Sequence, residues 1–186
     1  MSKTLLTRVP REELSESARM AWDALNELTG MPAFVDVFAK APELLDFAMV
    51  QFYQKIFFEG RVAEKHKQLS RLRLSMNHGC RTCNLQNLVG VANIGYSQEQ
   101  IDAMWRQDYS SFSEDEQAVM ELADEIALNN DHGNMTPELH AKLKRHFSDE
   151  DILELGLCLA IIVGLVKLSF VFGLVEKEPY CKFGKP

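Results

Sequence analysis

The chain has 186 residues, 46% of them hydrophobic, which is enough to bury one sizeable core and fits a single domain over residues 1–186 better than two. Its 27 Asp and Glu residues outnumber 20 Lys and Arg, and the net charge of -7 argues against nucleic acid as a partner, because such binding depends on neutralising phosphates. No apolar run resembling a signal-peptide core precedes Arg11, so we expect a cytoplasmic chain, a setting in which paired cysteines are more often catalytic or metal-binding than structural.

Apolar residues recur at intervals of three and four along the chain, the spacing of helices, and no segment has a convincing strand pattern. The first half predicts four helices, over about 13–28, 42–58, 62–76 and 81–94. The breaks between them use residues that end helices: Gly30-Met31-Pro32, Gly60 and Asn77-His78-Gly79.

The second half has clear helix-start signals. Ser97 and Ser113 each begin a capping box, in which the serine oxygen and the side chain three residues later satisfy free backbone amides. Thr136 precedes a proline at the first helical position, and Ser148 precedes three carboxylates at the positive end of a helix. We therefore expect an all-α fold of about eight helices.

The last helix is the most apolar part of the chain, and 155–175 is long enough to span a bilayer. A membrane span is disfavoured because Lys167 lies inside the run, and a central charge costs about 2.5 to 3.5 kcal/mol on insertion. A core helix buried on all sides gives the same pattern, and we expect a structural ion pair for Lys167, within or between subunits.

Cys80 and Cys83 are the residues most indicative of function. They fall in the first turn of a helix, where free amides and the helix dipole favour thiolate over thiol, and their spacing puts both sulfurs on one face. The pair is therefore suited to reversible disulfide chemistry. Helix electrostatics do not separate the two thiols and, if anything, favour Cys80 as the more exposed.

A cysteine pair at this spacing is also half of a possible zinc site. Structural zinc needs four ligands, and neither a second cysteine pair nor a ligand-like histidine spacing exists among the candidates, which are Cys158, Cys181, His132, His140 and His146. We therefore expect neither a metal nor another cofactor. The remaining alternative is that the cysteines are packed as small hydrophobes, because free cysteine is often buried.

Three segments carry a family resemblance: Gln68-Leu69 through Ser75, Gly79-Cys80-Arg81-Thr82-Cys83, and Gly95-Tyr96-Ser97-Gln98-Glu99-Gln100-Ile101. In order and spacing they resemble the core of the carboxymuconolactone decarboxylase and alkylhydroperoxidase D (AhpD) superfamily, and similarity extends over nearly the whole chain. The resemblance implies an all-helical homo-oligomer, a trimer or hexamer, with the dithiol near a subunit interface. It also implies reduction of small hydroperoxides, with Cys83 as the attacking thiol and a thiol reductant that the sequence does not name.

The chain departs from the family at the proton relay. Active members have a Glu twelve residues before the first cysteine and a His four residues after the second, and here those positions hold Gln68 and Asn87. Neither side chain exchanges a proton near neutral pH. Glu64 and His78 are the candidate replacements, against the alternatives of a solvated carboxylate and a turn residue that caps its own backbone.

Other side chains near the pair are expected to be structural. Arg71, Arg73 and Arg81 are able to stabilise a thiolate, but ordinary surface charge is the simpler expectation. The aromatic residues that invite a substrate pocket are expected to be core and subunit interface; they are Phe52, Tyr53, Phe57 and Phe58.

Three functions therefore stay open. The favoured one is a thiol-dependent peroxidase that uses the cysteine pair. The alternatives are a decarboxylase or lyase acting on a small lactone or keto acid, which would leave the pair without a role, and a non-catalytic oligomeric binding module. No nucleic-acid or membrane partner is expected.

Overall fold

Helices follow one another throughout the part of the chain that the computed structural model describes, residues 4–183, and no strand forms there. After a short 3₁₀ turn, the elements are α1 Glu16–Thr29, α2 Ala33–Phe38, α3 Pro42–Asp46, a π-helical segment Phe47–Phe58, α4 Glu64–His78, α5 Arg81–Ile94, α6 Gln98–Trp105, α7 Glu114–Ile126, α8 Pro137–Lys144 and α9 Asp149–Phe172. The predicted all-α class is confirmed.

The capping residues begin helices where the sequence predicts. Ser97 and Ser148 form complete capping boxes at α6 and α9, and the Thr136 hydroxyl accepts a hydrogen bond from Leu139 N at 3.1 Å in α8. Gly79 ends α4 in the left-handed conformation, with φ of 64°, which turns the chain directly into α5. Local chemistry thus fixes most helix boundaries.

The predicted single helix over 42–58 is divided instead. Only its first five residues are α-helical, and the rest is π-helical, ending where Glu59 N donates to Gln54 O, five residues earlier, at 3.0 Å. Apolar spacing of three and four does not distinguish these two helix types, so the sequence could not reveal the change. π-helical turns are rare and frequently lie at functional sites.

Helix α4 is the centre of the molecule, because most of its residues are buried against α5, α7 and α9. Leu69 and Leu72 are fully buried on the side of α5 and α6, and Leu74 on the side of α7 to α9. A buried ion pair links three elements: Lys67 Nζ donates to Glu154 Oε1 of α9 at 2.9 Å and to Ile56 O of the π-helical segment at 2.8 Å.

Helix α9 is not buried on all sides, and that expectation is wrong for the single chain. It is the one described helix long and apolar enough to cross a membrane, a property that core helices share. Only 33% of its most apolar 18-residue stretch is buried. Between its first and last turns the exposed residues form a stripe at helical spacing: Leu153, Leu157, Ala160, Gly164, Lys167 and Val171. A folded single chain therefore leaves an apolar face uncovered.

Lys167 belongs to this stripe and is exposed. Its ammonium group lies 5.7 Å from the centre of the Phe183 ring, and it has no ion-pair partner among residues 4–183. The expected ion pair is therefore not formed within the part of the chain that the structure describes.

The segment after α9 turns back across the junction between α4 and α5. Glu178 N donates to Gly79 O at 2.8 Å, Arg81 N donates to Glu176 O at 3.0 Å, and Glu176 N donates to Thr82 Oγ1 at 2.9 Å. These bonds hold the segment directly over Cys80. The described residues of this segment are therefore packed against the helices.

Candidate functional site

Cys80 and Cys83 form a disulfide at the start of α5, with an S–S distance of 2.09 Å and Cα atoms 5.2 Å apart. Cys80 is the residue that caps the helix, and its sulfur accepts a hydrogen bond from Cys83 N at 3.3 Å. The predicted placement of both sulfurs together in the first helical turn is confirmed. The free amides of this turn stabilise negative charge on sulfur once the bond is reduced.

The two sulfurs differ in access. Cys80 is 0% exposed, because it lies under the returning segment and packs against Val166 and Phe170 of α9. Cys83 is half-buried and lines a cavity. The expectation that Cys80 is the more exposed thiol is therefore wrong. The covering segment lies almost a hundred residues away in sequence, so helix position alone could not predict its effect.

The cavity beside Cys83 has a volume of about 450 Å³, a size that suits a small organic molecule. Residues from α1, α2, the π-helical segment, α4, α5 and α9 enclose it. Most of its wall is apolar, and representative residues are Leu25, Met49, Phe58, Ile162, Leu165 and Val175. An apolar substrate is thus favoured over a strongly hydrated one.

The aromatic residues of the π-helical segment divide between core and cavity. Phe52 and Phe57 are fully buried, as expected. Tyr53 packs against the same core cluster, and both Tyr53 and Phe58 also line the cavity, which the prediction of core and subunit interface did not include. An α-helix would place them differently around its axis, since a π-helix turns through fewer degrees per residue.

The relay positions Gln68 and Asn87 lie at the contact between α4 and α5. Asn87 lines the cavity, and its Nδ2 donates to Ser75 Oγ at 3.0 Å and to Arg71 O at 3.2 Å. Gln68 is buried, and its Nε2 donates to Glu64 Oε1 at 2.8 Å. Both amides are hydrogen-bonded within the protein, and neither can act as a general acid or base near neutral pH.

Arg71 lines the cavity, so the expectation that it is a surface charge is wrong. Its Nη2 donates to Gln68 Oε1 at 2.6 Å, and its guanidinium carbon lies 4.8 Å from the centre of the Phe57 ring. Burial lowers the pKa of Arg71, and Tyr53 and Glu64 act in the opposite direction. A signal was available in the sequence, because Gln68, Arg71 and Ser75 are spaced three and four apart and so share one face of α4.

The other two arginines differ from each other. Arg73 is buried, with its Nε 2.6 Å from Asp124 Oδ1, so the surface expectation is wrong for it as well. Arg81 is exposed, 3.9 Å from Glu176, and is an ordinary surface charge as expected.

His78 lines the cavity but is held in one protonation state. It is 1% exposed, and its Nε2 accepts a hydrogen bond from Leu128 N at 3.0 Å. That bond requires an unprotonated Nε2, so the ring proton is on Nδ1. Burial lowers the pKa of His78 to about 4. This geometry does not favour His78 as a base at neutral pH.

Glu64 lies at the start of α4, on the far side of Gln68 from Arg71. It does not line the cavity, so Glu64 has no direct route for proton transfer to Cys83. Gln68 lies between Glu64 and the cavity residue Arg71. Structurally, Glu64 is the outer end of a hydrogen-bonded series that runs from Arg71 through Gln68 to this carboxylate.

The other two cysteines lie outside the disulfide. Cys181 belongs to the same cluster of packed residues as Cys80, and its Sγ donates to His78 O at 3.0 Å. Cys158 is buried in α9, where burial raises the pKa of its thiol to about 11. Within the described chain no three His, Cys, Asp or Glu side chains are grouped to hold a metal ion.

No protein-family model and no curated protein matches the sequence. Among solved structures, a protein of unknown function from Agrobacterium tumefaciens, provisionally described as the antioxidant defence protein AhpD, aligns with a TM-score of 0.64 at 20% identity, covering 76% of this chain and 94% of that one. The chain has the AhpD-like fold. The fold expected from the family resemblance is thus confirmed.

A second solved structure with the AhpD-like fold is the debrominase Bmp8, determined as a cysteine-to-alanine variant in complex with 2,3,4-tribromopyrrole. It aligns with a TM-score of 0.70 at 16% identity and covers 96% of this chain and 95% of the other. Both matches are at low identity, so they establish the architecture and leave the reaction open.

Proposed function

We propose that the protein is a thiol-dependent peroxidase that reduces small organic hydroperoxides through Cys83 and Cys80. The observation that carries the proposal is the asymmetry of the disulfide, in which one sulfur faces an apolar cavity and the other is sealed behind it. A substrate in the cavity meets Cys83 first. Cys80 then forms the disulfide with the Cys83 sulfur that has already reacted. Cys80 therefore needs no contact with the substrate.

The reaction balances with a dithiol as the source of two electrons. The Cys83 thiolate attacks the terminal oxygen of the hydroperoxide, the O–O bond breaks, and the alcohol leaves after gaining a proton, giving a sulfenic acid on Cys83. The Cys80 thiol attacks that sulfur and releases water, forming the disulfide. An external thiol reductant returns two electrons and two protons.

The residues around Cys83 offer charge stabilisation rather than proton transfer. Helix amides at Cys83 and the Arg71 guanidinium on the cavity wall both favour an anion. Gln68 and Asn87 cannot move protons, and His78 is engaged by Leu128. General acid–base assistance is typically worth about 10²- to 10⁴-fold, so we expect turnover slower than that of a family member with the Glu and His relay.

Peroxide-dependent loss of thiols in the pre-reduced protein tests the proposal. Cys83→Ser should lose the rapid reaction, whereas Cys80→Ser should react once and stop at a sulfenic acid that dimedone traps. Cys181→Ser is the matched control, and it should retain the rapid phase with a disulfide as product. An unreactive wild type, or a Cys83→Ser variant as fast as wild type, would contradict the proposal.

A second candidate, reductive dehalogenation, is favoured by the alignment with the debrominase over nearly the whole chain. The same dithiol provides the two electrons and two protons that convert a carbon–bromine bond into a carbon–hydrogen bond and HBr. Bromide release from a bromopyrrole, with one disulfide formed per bromide, would support it. Peroxide reactivity without bromide release favours the first candidate.

The sequence left two other functions open, a lyase or decarboxylase and a non-catalytic module, and each predicts a different experimental result. Lyase or decarboxylase activity would survive replacement of both cysteines. A non-catalytic module would show no peroxide reaction until the relay is restored by Gln68→Glu together with Asn87→His. In the structure the new carboxylate at 68 would meet Arg71, whose Nη2 already lies 2.6 Å from the Gln68 oxygen.

We further propose that the protein works as a cytoplasmic homo-oligomer. Support for self-association comes from the stripe on α9, where Leu153 and Val171 are 72% and 66% exposed and the small residues Ala160 and Gly164 allow close approach of a second helix. The family resemblance implies a trimer or hexamer. A thiol reductant is its expected partner in turnover.

A further inference from the structure

The cavity beside Cys83 has an uneven charge distribution. Among its described lining residues Arg71 alone carries a formal charge near neutral pH, and no carboxylate lines the wall. His78 is neutral there, because burial lowers its pKa to about 4. A molecule entering this space therefore meets an apolar surface with a single cationic group.

Arg71 lacks the counter-ion that an arginine in an enclosed position normally has. Arg73, two residues later on the same helix, has a carboxylate at 2.6 Å, whereas Arg71 has none within ion-pair distance among residues 4–183. Its Nε is buried without a hydrogen-bond partner in the same part of the chain. The two arginines of α4 thus differ: Arg73, outside the cavity lining, has a carboxylate partner, and Arg71, in the cavity lining, has none among the described residues.

The surroundings of Arg71 hold its guanidinium in place. One nitrogen donates to Gln68, and the ring centres of Phe57 and Tyr53 lie 4.8 and 5.8 Å from the guanidinium carbon. Gln68 then separates it from Glu64, which is the nearest acid in this hydrogen-bonded series. A fixed, desolvated cation of this kind gains most from an anion that forms charge-assisted hydrogen bonds to it.

We propose that the cavity binds small, largely apolar monocarboxylates, with the carboxylate on the Arg71 guanidinium and the apolar body along the wall toward Cys83. A dianion such as phosphate fits less well, because only one cation is present and an apolar wall would face the second charge. This inference rests on the proposed function for one point: the reducible group that reaches Cys83 is then the hydroperoxide of a carboxylated organic hydroperoxide.

Equilibrium binding to the resting disulfide form tests this proposal without any turnover. The probes are 4-phenylbutyrate and its neutral amide, which have the same apolar body. We expect wild type to bind the carboxylate about tenfold more tightly than the amide, the size expected for one charge-assisted interaction. Arg71→Gln should abolish this preference, and Arg71→Lys should retain part of it.

Arg81→Gln is the matched control, because it removes the same charge next to the disulfide but outside the cavity, and it should keep the full preference. Equal affinity of wild type for the two probes, or binding of neither, would overturn the proposal. Loss of the preference in Arg81→Gln would also overturn it, since a general surface field would then account for the result. Preference without peroxide reactivity would sustain the carboxylate site and refute the peroxidase, so the two proposals fail separately.

Discussion

Single residues decide which groups near the disulfide are able to exchange protons. His78 is the only histidine on the described cavity wall, and a backbone amide occupies its Nε2. This makes the histidine a structural acceptor whose neutral form the fold requires. Protonation of His78 is therefore expected to lower the stability of the fold, because it removes the acceptor for Leu128 N.

The low pKa of His78 predicts a pH-dependent stability. The folded value is about 4 and the ordinary value is 6.5, so between these pH values the unfolded chain binds more protons and acid favours unfolding. The contribution of neutral His78 to the free energy of unfolding is complete above pH 6.5 and is lost as the pH falls to 4. The full difference amounts to about 3 kcal/mol.

Urea unfolding near neutral pH and at a pH about two units lower measures this effect. We expect His78→Gln to be less stable than wild type near neutral pH but to lose less stability on acidification. His140→Gln replaces an exposed histidine and should follow the wild-type pH dependence. An unchanged pH dependence in His78→Gln would show that other groups cause the acid sensitivity.

At the scale of elements, the site depends on the junction of α4 with α5 and on the segment that covers it. Gly79 connects the two helices with a positive φ, and a β-carbon placed there would lie 2.8 Å from Cys181 Cα. Because the nearest atom belongs to backbone, a side chain at 79 has to displace the covering segment. Access to Cys80 is thus coupled to one glycine.

We expect Gly79→Ala to make Cys80 reactive in the reduced protein. Gly30→Ala is the matched control, since Gly30 ends α1 with φ of 68° and nothing lies within 4 Å of its β-carbon position. Both variants carry the cost of a left-handed alanine, about 1 kcal/mol, but only Gly79→Ala should speed alkylation of Cys80, measured by peptide mass spectrometry. Equal alkylation of Cys80 in both variants would contradict the coupling.

The pair of Lys67 with Glu154 holds the π-helical segment, α4 and α9 together. The carboxylate of Glu154 also accepts hydrogen bonds from Arg61 N at 2.8 Å and Val62 N at 3.0 Å. Glu154→Gln leaves the fully buried Lys67 ammonium without a counter-ion, and we expect a loss of about 3 to 5 kcal/mol in the free energy of unfolding.

Chemical denaturation of Glu154→Gln beside Glu150→Gln checks this expectation. Glu150 lies on the same helix but is exposed, so its replacement should change stability little. Similar losses in the two variants would mean that general charge effects, rather than the buried pair, cause the destabilisation.

For the molecule as a whole, the apolar stripe on α9 is a surface that a single chain leaves exposed to water. Leu157 lies in the stripe and is 51% exposed. We expect Leu157→Glu to shift the protein toward monomer in sedimentation velocity, because a desolvated carboxylate would face the partner helix.

Met135→Glu is the control for this experiment. Met135 is 42% exposed in the loop between α7 and α8, away from the stripe. The variant should retain the wild-type sedimentation coefficient. A wild type that sediments as a monomer at every concentration, or a Leu157→Glu variant with the wild-type assembly, would refute self-association through α9.

The amino-acid sequence alone predicted the helical class, most helix ends and the position of both thiols at the start of α5. These features follow from neighbours a few residues apart: capping serines, a left-handed glycine and apolar spacing act over one or two turns. For the same reason the sequence placed Gln68 and Asn87 correctly along their helices.

Which of these groups face the cavity depends on how the helices pack against one another. The burial of Cys80 depends on a segment that follows α9, and the entry of Arg71 into the cavity depends on how α4 packs against the π-helical segment. Exposure and counter-charge are set by contacts between residues far apart in the chain. Periodicity reports which residues share a face of a helix, but it does not report what that face meets.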